Sequence, residues 1–173
     1  MTTKGVYYHI LLMVLVIATL MILTPMIVYG NDIAQLPNCP ICGMDRHKFA
    51  HSRMLIRYED GSLFGSCSLH CTALELAYHP GKVPVSIEVA DYGTHELVDA
   101  ERAVWVLGGD KMGVMTTQAK WAFANRGAAQ NFVDHHGGQI VDFETAISKA
   151  YADMYKDTHM IREKRRKIGT LKN

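Results

Sequence analysis

The alternation of apolar and polar positions divides the chain into an apolar opening run and a patterned remainder. The opening MTTKGVYYH carries one positive charge, Lys4, and leads into ILLMVLVIATLMIL and then TPMIVYG. This segment, residues 1–30, reads as a signal peptide or a membrane anchor. Val28 and Gly30 suit a signal-peptidase site, and Pro25 would break the helix just before it. The run from Val6 to Tyr29 is also long enough to span a bilayer. Cleavage and retention in the inner membrane through residues 6–29 both stay open. In either case Lys4 remains cytoplasmic and the rest of the chain is exported to the periplasm.

Residues 31–38 read as a polar linker without periodicity. Arg53 to Tyr58 alternates, Asp60-Gly61 supplies a tight turn and Leu63-Phe64 begin a return strand, which predicts a hairpin. Ser66 or Ser68 can cap a helix over LHCTALELAYH, with Leu69, Ala73, Leu76 and Ala77 on one face and Pro80-Gly81 at its end. VPVSIEVADY and THELVDA are expected strands. The order then recurs. RAVWVLG is a strand, GDKMGVMTTQ a loop, and KWAFA a second strand. Asn125 caps a helix over RGAAQNFVDHH, and QIVDF is a further strand. The expected fold is α+β, with two related ββαβ units at residues 39–100 and 101–160, packed together because each alone buries little surface. A last helix starts near Glu144 and runs into a basic tail at 161–173.

Charge changes this picture little. Eighteen Lys and Arg stand against 17 Asp and Glu, which argues against a nucleic-acid binder. Arg162 to Lys167, REKRRK, reads as a solvated helix end, or one touching anionic lipid or an acidic partner. There is no GxSxG, P-loop, HExxH or paired-acid signature, so neither an enzyme nor a small-molecule substrate is expected.

The cysteines carry the chemistry. They fall as Cys39-x-x-Cys42 before the hairpin and Cys67-x-x-x-Cys71 after it. In an exported protein the default is two disulfides, yet the spacing suits a metal centre equally. Cys67 and Cys71 project from one helix face, and the helix start favours their thiolates. Four such sulfurs make a tetrahedral zinc site. A thioredoxin-like redox pair lacks its βαβ context around Cys39. Cys42-Gly43-Met44 sets a thioether beside a thiolate, a pairing suited to copper(I), unless Met44 simply packs under the hairpin. Met112 and Met115, in a glycine-rich loop, supply a second thioether or a hydrophobic plug. His70, between the helix cysteines, is a borderline ligand. His47 and His51 flank a stretch expected to be extended, and His135 and His136 read as helix-end residues.

CPICGM, the hairpin and helix after it, the Met112–Met115 loop and WAFANRGAAQNFVDHHGG together resemble the NosL-type copper chaperones, over roughly Asn38 to Ala150. That resemblance implies an exported copper(I) carrier whose client is nitrous oxide reductase, on a fold of two related ββαβ units. It maps a Cys-x-Met pair onto Cys42 and Met44, and a distant methionine ligand onto Met112 or Met115. Two departures stand out. The lipid-bearing cysteine frequent in the family is missing, and Cys67 and Cys71 are additions similar to TRASH and YHS cysteine domains. The expected protein is therefore a copper(I) chaperone. Alternatives are a structural four-cysteine zinc module, a heavy-metal sink or, last, a thiol-disulfide protein.

Overall fold

The computed structural model describes residue 13 and residues 32–170, and the expected N-terminal segment 1–30 lies outside the described residues apart from Met13. Among the described residues, no helix is long and apolar enough to cross a membrane. The fold is mixed α+β with two antiparallel sheets. The elements run α1 (Asp32–Gln35), a 3-10 turn (Ala50–Ser52), β1 (Met54–Tyr58), β2 (Leu63–Ser66), α2 (Leu69–Tyr78), β3 (Pro84–Ala90) and β4 (Leu97–Asp99). They continue with β5 (Val104–Leu107), β6 (Lys120–Phe123), α3 (Arg126–His136), β7 (Gln139–Val141) and α4 (Phe143–Thr170).

The first sheet has the order β2-β1-β3-β4 and the second β6-β5-β7. In both, chain order is strand, strand, helix, strand, and the third strand returns beside the first. Gly61, at φ +80°, closes the β1–β2 turn, a conformation open to glycine without strain. β1 departs from plain alternation: Met54, Leu55, Ile56 and Tyr58 are all buried. As a central strand it faces covering side chains on more than one side. Met54 joins the main core, while Ile56 and Tyr58 form a smaller cluster with Phe64.

The main core draws on both sheets and two helices. Met54, Val89, Trp105, Leu107 and Ala122 meet Leu69 and Ala73 of α2 and Phe143, Ile147 and Ala150 of α4. A parallel bridge between Asp91 and Ala122 joins the sheets, and the Asp91 carboxylate accepts the Ala124 N–H at 2.7 Å. α3 begins as its sequence predicts: the Asn125 side chain accepts the Ala128 N–H at 2.9 Å, a cap of about 1 kcal/mol.

Two local expectations require correction. The supposed linker holds a helical turn, and its Asp32 is buried against Arg46 and Arg53 at 2.6 and 3.0 Å. REKRRK is a helix end exposed to solvent, as read from the sequence: α4 continues through it to Thr170. Ala77 is exposed; α2 instead buries Leu69, His70, Cys71, Thr72, Ala73 and Glu75, since other elements crowd its first turns from several sides.

Candidate metal centre

The site is assembled from two short segments. Residues 37–46 form a closed turn: the Gly43 N–H donates to the Cys39 carbonyl at 2.7 Å and the Cys39 N–H to that of Met44 at 2.9 Å. Gly43 adopts φ +76°, so the reversal between Cys42 and Met44 needs a residue without Cβ strain. Arg46 locks this turn onto β2. Its guanidinium, wholly buried, donates to the carbonyls of Leu36, Ser66 and Met54 at 2.6, 3.1 and 3.0 Å. The fit is close enough that a Cβ on Gly65 would lie 2.6 Å from the Arg46 guanidinium carbon.

The second segment is the β2–α2 junction. Ser68 is the helix N-cap with extended backbone, which places Cys67 just before the helix and Cys71 one turn in. The Ser52 hydroxyl donates to the Cys67 carbonyl at 2.8 Å, and the Ser66 and Thr72 hydroxyls meet at 2.7 Å. The matching junction before α3 has Asn125 as its cap, with Ala124 and Ala128 at the corresponding positions.

All four cysteines are free thiols, Cys39, Cys67 and Cys71 buried and Cys42 half-buried. Their sulfurs lie within 4.8 Å of one another. Cys42 Sγ is 3.5 Å from Cys67 Sγ, which is 3.8 Å from Cys71 Sγ. Tetrahedral bonds of about 2.3 Å would set sulfurs about 3.8 Å apart, so one soft ion fits this group. The thiols divide the charge unevenly. Hydrogen bonds from Cys42, then Cys67 and Cys71, hold Cys39 far below the ordinary thiol range despite its burial. Cys39 opposes ionisation of Cys42, but hydrogen bonds from Cys67 and Cys71 prevail and lower it too. Cys67 is pushed up by Cys39 and Cys42, and Cys71 by Cys39, Cys42 and Cys67.

The methionines separate. Met44 is half-buried with its Sδ 3.9 Å from Cys67 Sγ. Met115 packs against the apolar cluster that contains the cysteines, Val114, Trp121 and Phe132. It adopts φ +59°, a conformation that costs a side-chain-bearing residue about 1–3 kcal/mol. Met112 is 83% exposed and lies outside that cluster.

The histidines sit elsewhere. His70 is buried, with Nδ1 3.7 Å from Asp157 Oδ2, and is not part of the four-sulfur group. The stretch holding His47 and His51 is turn and 3-10 helix rather than extended. There His51 packs against Tyr92 and Trp121, with ring centroids 5.7 and 5.6 Å away. At the end of α3, His135 Nδ1 lies 2.8 Å from the Asn131 carbonyl, and His136 faces Asp110 at 3.1 Å.

Two contributors leave no mark on the sequence. Asp157, wholly buried, accepts the Thr117 N–H and hydroxyl at 2.8 and 3.1 Å, and so anchors the loop that carries Met115. Arg165 donates to the Cys42 carbonyl at 2.8 Å across 123 positions of sequence. No spacing rule relates residues that far apart.

The family model for NosL matches residues 31–152. The chain belongs to the NosL family. Among solved structures, the copper chaperone NosL from Shewanella denitrificans matches with a TM-score of 0.50 and 18% identity, over 62% of this chain and 87% of that chain. That likeness is one of fold. A search of the curated proteins gave no match. The NosL region contains all four cysteines together with Met44 and Met115, and it ends inside α4. Asp153, Asp157 and Arg165 therefore lie beyond it.

Proposed function

We propose that this chain is an exported copper(I) carrier that hands its ion to a copper enzyme, by family resemblance nitrous oxide reductase. The observation that carries this reading is the Met44 thioether 3.9 Å from the thiol of Cys67, beside Cys42, the one cysteine that is not buried. A site meant only to hold zinc has no use for a thioether, whereas copper(I) prefers soft sulfur donors. In this reading Cys42 is the anchoring thiolate and the first sulfur a recipient meets. Cys39, Cys67 and Cys71 are the inner thiols, Met44 a weaker and more easily displaced donor, and Met115 the closing thioether. Met115 is preferred to Met112 because it packs on the cysteine cluster and is held in a strained conformation by its loop.

A structural zinc site is the second reading, and the near-tetrahedral sulfur spacing of 3.5 and 3.8 Å favours it. Anaerobic titration with copper(I) against a competing chelator separates the two, using wild type, Cys42→Ser and Met44→Leu. The carrier loses affinity in both variants. A chain that purifies with one firmly held zinc and binds copper(I) equally in all three forms is a zinc module.

A further inference from the structure

The part of α4 beyond the family region touches the metal centre at two points. Asp157 ties the Met115 loop, through Thr117, to the helix and faces His70 of α2. About two turns further on, Arg165 reaches the Cys42 carbonyl at 2.8 Å. Arg165 is exposed, and a backbone carbonyl is a neutral acceptor. A carboxylate offers a guanidinium two charged oxygens in fork geometry and is the stronger partner. Around it, Arg162, Lys164 and Lys167 are exposed and form no ion pair among the described residues. Glu163, the one acid in this stretch, is engaged by Arg166. Uncompensated positive charge therefore collects on the helix end whose Arg165 holds the carbonyl of Cys42, the residue with the one accessible thiol of the site.

We infer that the basic end of α4 is a docking surface for an acidic face of the protein that receives the ion, and that docking moves Arg165 from the Cys42 carbonyl to a partner carboxylate, loosening the 39–44 turn. The partner's role as recipient and the purpose of the loosening rest on the carrier reading; the docking of an acidic protein face does not. An acidic protein face fits better than an anionic bilayer. An interfacial helix sets a broad apolar face beside its charges, and beyond Tyr155 the exposed large apolar side chain on α4 is Ile168 alone among the described residues.

The test uses the full chain, reduced and metal-free, with a decaglutamate peptide as probe. Two quantities are read: peptide binding by fluorescence anisotropy, and the rate of Cys42 alkylation by uncharged iodoacetamide, located by mass mapping. Binding is expected at low ionic strength, to vanish at high salt and to weaken in the Arg162→Gln, Lys164→Gln, Lys167→Gln variant. Peptide should speed Cys42 alkylation about 3- to 10-fold, the change in population expected when one exposed charge-assisted hydrogen bond is lost. Arg165→Gln should react fast already and ignore the peptide. The inference is overturned if the peptide does not bind, if it accelerates Arg165→Gln as much as wild type, or if only anionic phosphatidylserine vesicles produce the effect. The wild-type comparison with and without peptide stands even if a variant folds poorly. A chain that takes up no copper(I) yet exposes Cys42 on peptide binding removes the carrier reading and leaves the docking surface in place.

Discussion

Asp32 is one carboxylate shared by two arginines. Its oxygens meet Arg46 at 2.6 Å and Arg53 at 3.0 Å, and Arg46 in turn binds the turn of Cys39 and Cys42 to β2. Burial alone would raise the Asp32 carboxyl. Hydrogen bonds and charge from Arg53, then charge and hydrogen bonding from Arg46, outweigh it and hold the group below its ordinary value. Asp32→Asn should cost about 3–5 kcal/mol, because Arg46 is left buried beside a neutral amide. Urea unfolding at neutral pH measures this. The sign with pH follows from linkage. A depressed folded pKa contributes stability above the unfolded value of about 3.9, lost as pH falls through the lower folded value. Wild-type stability should therefore fall more steeply than that of Asp32→Asn below about pH 4. The cysteines were legible because Cys-x-x-Cys and Cys-x-x-x-Cys are local patterns. Asp32 was not, because a lone acid in a polar stretch gives no sign of arginines 14 and 21 positions away.

At the level of elements, the two strand–helix junctions are natural comparators. The junction before α2 carries Cys67 and Cys71, and the one before α3 carries Ala124 and Ala128 around a cap of the same extended backbone, where Asn125 but not Ser68 bonds through its side chain. Alanine is thus compatible with this backbone, and Cys71→Ala should lose only about 1–2 kcal/mol of stability, the range for removing a small buried group. Metal affinity should nonetheless drop at least about tenfold, or about 1.4 kcal/mol. Paired thermal melts and chelator competition read the two effects separately, and a large loss of stability with unchanged affinity would count against Cys71 as a ligand. The hairpin, the helix order and the Asn125 cap were legible here because Asp60-Gly61 and Asn125 punctuate the chain. The turn at His47–His51 was not read, although its signal is local: the Asp45 carboxylate accepts the His47 and Lys48 N–H groups at 2.8 and 3.3 Å.

Across the whole molecule, α4 holds the two sheets and the metal-side loop together. Lys120 of β6 is buried, and its ammonium meets Asp153 of α4 at 3.2 Å, with Thr116 and Gln118 as further acceptors. Burial lowers its pKa and Asp153 works against that. Asp153→Asn should destabilise by about 3 kcal/mol, the low end for breaking a buried pair, because those two oxygens remain. That corresponds to a fall in Tm of about 6–12 °C for a body of this size. An unchanged Tm would show that Lys120 is solvated instead. The succession of elements along the chain followed from a strand-strand-helix-strand pattern written twice, whereas the strand order within each sheet did not. The reach of α4 did not, because REKRRK looks the same whether it ends in solvent or lies over a cysteine.

The alanines at the second junction carry one more implication. They show that a chain turn of this shape closes whether or not sulfur is present, so Cys67 and Cys71 answer to ligand chemistry more than to the needs of their backbone. Descendants of such a scaffold are free to gain or shed donors singly, drifting between one-ion and multi-donor coordination while the framework stays intact.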